Sequence, residues 1–162
     1  MTKSTGSIYF IRSNSEDGHK ALRPPWAIPE ASFVQACNAC GKCIDVCPAL
    51  ILKAGAGRLP QIDFSRGGCL FCGDCEMVCE TGALSRLIEP ERPPWTLKAY
   101  FSDACLIRKG ATCYTCREFC EMNAIRLQAV VGGAPAPQLD FDACNGCGEC
   151  YAPCPTNAIS IM

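Results

Sequence analysis

The chain has 162 residues, 16 of them cysteine, with 15 Lys and Arg against 16 Asp and Glu and a formal charge of −1. That balance offers no basic footprint for nucleic acid. Its longest apolar runs, such as Ala49–Leu52, fall far short of the roughly 20 residues a membrane-spanning helix needs, so no membrane insertion is expected. Apolar residues make up 49% of the chain, but 16 of them are cysteine and 19 are alanine. Ordinary side chains therefore build only a thin core, and cysteine must staple the fold through disulfides or through metal.

Residues 1–23 come first. They are polar, carry neither an apolar signal core nor paired arginines, and point to a flexible segment on a cytoplasmic protein. Their one short apolar run is Ile8–Ile11, and the sole histidine of the chain, His19, reads as a solvated tail residue. Arg23-Pro24-Pro25-Trp26 follows. A Pro-Pro pair favours extended polyproline II backbone, which leaves Trp26 either to cover a metal site or to meet a partner.

Cys37, Cys40, Cys43 and Cys47 form the first cysteine group, with the spacing C-x2-C-x2-C-x3-C. A helical turn at Asp45-Val46 closed by Pro48, a strand over Leu50–Leu52, a glycine turn at Gly55-Ala56-Gly57 and a second strand ending at Phe64 are expected next. The second group, Cys69, Cys72, Cys75 and Cys79, repeats the spacing around a helical turn at Glu76–Val78. Arg92-Pro93-Pro94-Trp95 opens the second half. Its third group, Cys105, Cys113, Cys116 and Cys120, has seven residues between the first two cysteines. Tyr114 stands there where the other groups have Gly41, Gly73 and Gly148, glycines that permit positive φ beside a metal site. A strand over Ala124–Leu127, a turn at Gly132-Gly133 and a strand ending at Phe141 lead to the fourth group, Cys144, Cys147, Cys150 and Cys154.

The halves repeat each other. Pro60-Gln61-Ile62-Asp63-Phe64 recurs as Pro137-Gln138-Leu139-Asp140-Phe141, and Phe33 and Phe101 each lie four residues before their half's first cysteine. The expected fold class is α+β, a tandem duplication of two bacterial 2[4Fe-4S] ferredoxin-like modules at 24–91 and 92–162.

Three chemistries compete for the cysteines. A disulfide scaffold needs an oxidising compartment that the N-terminal segment does not announce. Structural zinc pairs two C-x2-C knuckles across a longer stretch, which leaves the third and fourth cysteine of each group unexplained. The repeated spacing is that of bacterial 4Fe-4S ferredoxins, in which the fourth cysteine of one group reaches the cluster of the other. By that rule one cluster takes Cys37, Cys40, Cys43 and Cys79, and a second takes Cys69, Cys72, Cys75 and Cys47. A third takes Cys105, Cys113, Cys116 and Cys154, and a fourth takes Cys144, Cys147, Cys150 and Cys120. The irregular third group leaves a degenerate site open, and its Arg108 and Lys109 either raise that cluster's potential or belong to a solvated loop.

Four cysteine ligands leave a cubane no open position, and no acid–base constellation accompanies them. One-electron transfer without catalysis is expected. Four clusters of charge about −2 would bring the chain to about −9 and favour a partner bearing Arg and Lys.

The motifs RPPW, CLIRKGATCYTCREFCE with its seven-residue gap, PQLDF and CNGCGECYAPCPTNAI resemble NapF, the family of ferredoxin-type accessory proteins of periplasmic nitrate reductase systems. The resemblance spans about residues 23–160. It implies four 4Fe-4S clusters, a cytoplasmic location, and binding to the precursor form of the molybdenum-containing catalytic subunit of nitrate reductase before export. It also implies a part in maturing that subunit. Tandem ferredoxin modules also serve as polyferredoxin electron carriers or as subunits of redox complexes, which is the competing expectation.

Overall fold

In the computed structural model, residues 21–87, 91–128 and 135–162 are described. The expected tail with Ile8–Ile11 and His19, and the turn at Gly132-Gly133, lie outside the described residues.

Helix α1 (Glu30–Ala36) follows Pro29 and carries Glu30 in its first turn, where the helix dipole favours an anion. It buries Phe33 completely and stops where Cys37 turns extended. Gly41, at φ +83°, then starts the single turn α2 (Lys42–Asp45). Leu50 has a φ of +54°, so strand β1 (Leu52–Ala54) begins two residues later than its hydrophobicity suggests. It pairs antiparallel with β2 (Pro60–Ile62), Leu52 opposite Ile62. The expected second strand stops before Phe64, because the Asp63 carboxylate accepts the Ser65 N–H and winds Phe64–Arg66 into a 3-10 turn. Gly73, at φ +87°, starts α3 (Asp74–Met77).

The second half follows the same plan. Strand β3 (Ala99–Phe101) precedes the third cysteine group, α4 (Thr115–Glu118) lies within it, and β4 (Ile125–Gln128) pairs antiparallel with β5 (Ala136–Leu139). Strand β6 (Ile159–Ile161) returns to pair with β3, which ties the end of this half to its beginning. The first half closes in the same way through the Ala27–Leu84 bridge, Ile28 N–H donating to Ala83 O and Ser85 N–H to Trp26 O. Each half thus holds an inner hairpin between its two cysteine groups and a closure of its two ends.

The core is small. Phe33, Ile51, Leu52, Ile62, Phe64, Leu84, Ile125, Ile159 and Ile161 are buried together with Cys75, Cys116 and Cys150. Among the described residues no polar or charged side chain is buried. The halves meet through Trp26 N–H donating to Pro94 O (2.7 Å) and Arg92 Nη2 donating to Ala27 O (2.6 Å). The architecture is a small mixed helix and strand fold of ferredoxin type.

Candidate metal centre

Single helical turns and left-handed residues bring the cysteines into clusters that cross between groups. One cavity is lined by Cys37, Cys40, Cys43 and Cys79. A second is lined by Cys47, Cys69, Cys72 and Cys75, with Trp26 in its wall. A third is lined by Cys120, Cys144, Cys147 and Cys150. In the remaining set Cys116 is buried and lies within electrostatic reach of Cys105, Cys113 and Cys154.

The donor set suits a cluster better than a single ion. Tetrahedral zinc at a Zn–S distance of about 2.3 Å draws its thiolates to within about 4 Å of one another. Among the described residues, no three cysteine, histidine or acidic side chains converge in a way that could hold a single ion. Four thiols facing an apolar hollow suit a cubane, whose four irons hold the thiolates farther apart.

Burial sets the electrostatics. It pushes the thiols of Cys43 and Cys116 up to about 11 and those of Cys75 and Cys150 to about 12. Cys69 rises to about 11, again through burial, partly offset by the Phe71 N–H that reaches its sulfur. Neighbouring thiolates raise these groups further, and they include the fourth cysteine of the other group: Cys79 for Cys43, Cys47 for Cys75, Cys154 for Cys116 and Cys120 for Cys150. At neutral pH these thiols hold protons that an incoming metal must displace. Bound iron would neutralise the thiolates that these cysteines supply.

Donors converge on the sulfurs. Leu84, Ala124 and Ala158 each direct a backbone N–H at the sulfur of Cys79, Cys120 and Cys154, all at 3.3 Å. Hydroxyls of Thr81, Thr115 and Thr156 lie 3.7, 3.7 and 3.9 Å from Cys79, Cys113 and Cys154. A thiolate bound to iron has no proton, so each hydroxyl would be the donor there. Sequence reasoning missed these threonines, although all three stand two positions after a cysteine.

Gly41, Gly73 and Gly148 have φ between +83° and +87°, as their place in the motif requires. Tyr114 has φ −126°, so the third group enters its helical turn by a different route. Its seven-residue gap is wound on itself, with Gly110 N–H donating to Ile107 O and Ala111 N–H to Leu106 O, and Ile107 buried as its anchor. Arg108 pairs with Asp103 at 3.4 Å, and Arg108 and Lys109 are both exposed, which is the solvated-loop reading. Trp26 is buried with the Arg86 guanidinium 4.5 Å from its ring, so it lines a thiol cavity and is not a free contact. Trp95 instead donates its indole N–H to Asn145 O and packs on Phe64 and Phe71.

Comparison with known proteins agrees with this geometry. A 4Fe-4S dicluster domain matches residues 36–83 and a 4Fe-4S binding domain matches residues 137–160, so the chain is a 4Fe-4S protein. Ferredoxin-type protein NapF of Escherichia coli K12 is 37% identical over 86% of this chain and 83% of its own length. NapF of Haemophilus influenzae is 38% identical over 96% of this chain and 86% of its own length. The methylamine utilization ferredoxin-type protein MauM of Methylorubrum extorquens is 34% identical over 90% and 73%. At 37% and 38% identity to NapF proteins over most of both chains, the protein belongs to the NapF family of ferredoxin-type iron–sulfur proteins.

Proposed function

We propose that the chain carries four 4Fe-4S clusters in a tandem duplication of ferredoxin modules, 24–91 and 92–162. In this reading it serves the periplasmic nitrate reductase system from the cytoplasm. The ligand sets are the four crossed ones: Cys37, Cys40, Cys43 and Cys79; Cys47, Cys69, Cys72 and Cys75; Cys105, Cys113, Cys116 and Cys154; Cys120, Cys144, Cys147 and Cys150. The observation that carries this reading is that three separate cavities are each lined by four cysteines drawn from two groups. Each cluster supplies one-electron redox capacity when bound. The protein's own residues orient the thiols, exclude water with Trp26 and Phe33, and direct N–H and O–H donors at the sulfurs.

The partner in this reading is the precursor of the catalytic molybdoprotein subunit of nitrate reductase, which the chain binds and helps to mature before export. Support comes from family membership and from the negative charge that bound clusters add, which suits a basic docking patch. Iron and sulfide analysis of anaerobically purified protein tests the cofactor: about 16 of each per chain is expected, against about four zinc for all-cysteine zinc sites. Affinity purification from nitrate-grown cells tests the partner. Recovery of the uncleaved precursor supports the maturation role, and recovery of other redox subunits without it favours a polyferredoxin electron carrier.

A further inference from the structure

The segment after the Asp-Phe pair differs between the halves. Ser65-Arg66-Gly67-Gly68 separates Phe64 from Cys69, whereas Asp142-Ala143 alone separates Phe141 from Cys144. In the second half the cysteine amide is used locally, Cys144 N–H donating to Asp140 O at 3.0 Å. The longer segment releases the equivalent donor, and Cys69 N–H crosses to the other half to reach Cys147 O at 2.7 Å.

Side-chain-free positions make that approach possible. A Cβ on Gly68 would lie 2.6 Å from the Glu149 nitrogen and 2.9 Å from Cys147 O. From the other side, a Cβ on Gly148 would lie 2.2 Å from the Phe64 ring. Phe64 is buried against Trp95 and Tyr151, at ring-centroid distances of 6.2 and 6.5 Å, while its counterpart Phe141 is 51% exposed. The contact is built around a segment by which the two halves differ, and Phe64, Gly68 and Gly148 are buried in it.

We infer that this contact is an electron junction: the Gly68-Cys69 and Cys147–Glu149 segments hold the set of Cys47, Cys69, Cys72 and Cys75 against the set of Cys120, Cys144, Cys147 and Cys150, joining the halves into one relay. The inference rests on the four-cluster reading above. Within each half the sets also adjoin, because Cys43 and Cys47 stand four residues apart in one group and line different cavities, and Cys116 and Cys120 have the same spacing. The relay therefore runs first, second, fourth, third, with its outer ends at the Cys37 and Cys105 sets. The transfer moves one electron. The donor core goes from +1 to +2, the acceptor core from +2 to +1, and no bond or proton changes. A low-potential one-electron carrier protein supplies the electron at one end, and a second carrier removes it at the other.

The test is electron paramagnetic resonance of the full holoprotein reduced with dithionite, in wild type and in Gly68→Ala. Gly68 lies outside the left-handed region, so alanine suits its own φ, and the added Cβ would push the Cys147–Glu149 backbone away. The expected result is spin–spin broadening between halves that Gly68→Ala loses, with iron content unchanged and within-half broadening as the internal reference. Identical broadening in both proteins would overturn the junction. Should Gly68→Ala fail to load iron, a Cys40→Ser, Cys113→Ser variant weakens the outer sets and leaves the contact intact. Its reduced inner pair must then show coupled signals, and two uncoupled signals would overturn the inference. Wild-type iron well under about 16 per chain defeats the four-cluster reading instead, so the two failures are distinguishable.

Discussion

Hydrogen bonds to sulfur are the finest control that single residues exert here. Reduction adds negative charge to a cluster and its thiolates, so each donor stabilises the reduced state and raises the potential. Thr115→Val removes the hydroxyl 3.7 Å from the Cys113 sulfur with little change of shape. A hydrogen bond worth about 1 kcal/mol corresponds to roughly 40 mV for one electron. One cluster's potential is therefore expected to fall by about that much, read in a redox titration, and an unchanged set of potentials would remove the hydroxyl from the account. Asp63 offers a second single-residue test. Lys53 first, then Ser65, holds its carboxyl down at about 2, below the usual 3.8. Its contribution is present above about pH 4 and lost as pH falls through 2. Asp63→Ala is expected to cost about 1 kcal/mol as a lost cap, measured by urea denaturation near neutral pH. The variant should also lose the part of the acid sensitivity that this carboxylate supplies.

At the scale of elements, α1 shows how little core supports each half. Phe33 is fully buried, with the Arg23 guanidinium 4.9 Å from its ring and Glu30 holding that guanidinium in place. Phe33→Ala is expected to cost about 3–5 kcal/mol. That is comparable to the whole stability of a unit this small, so the variant should lose iron from the first half on gel filtration. The third-group loop predicts the opposite. Arg108 faces Asp103 and Lys109 is exposed, so Lys109→Ala is expected to leave all potentials unchanged within error. Most elements were legible in the sequence. The hairpins followed from glycine between apolar runs, and helical turns were expected at Asp45-Val46 and Glu76–Val78, although α2 and α3 begin two to three residues earlier, at Lys42 and Asp74. Helix α1 was not legible, because EASFVQA has one inward residue and too few turns for a period. The β3–β6 pairing was not legible either, because its partners lie some sixty residues apart and only closure of the half brings them together.

For the whole molecule, three cavities each draw their thiols from both groups of a half, and burial opposes ionisation of the thiols that a cluster would need, so metal binding is expected to be coupled to folding. Removing iron with a chelator is expected to unfold an entire half cooperatively, seen as loss of far-ultraviolet circular dichroism together with the cluster absorbance. A metal-free chain that still melted cooperatively would contradict this.

Cysteine spacing alone pointed to the chemistry of this protein and the grouping into fours, because a cubane demands its ligands at short intervals along the chain, and the recurring RPPW and PQ(I/L)DF motifs supplied the repeat. The sequence also singled out the left-handed glycines, since three of the four groups share the same local backbone requirement. Only the tertiary structure decided which sulfurs receive hydroxyl donors, that Trp26 lines a thiol cavity, and that Cys69 reaches across to Cys147. The hydroxyl donors stand two positions from their cysteines and Trp26 meets its cavity within the first half, so these features rest on local backbone geometry and on packing inside a half. The Cys69 to Cys147 contact depends on the packing of one half against the other, which is set by surfaces built from distant residues, and no local spacing encodes it.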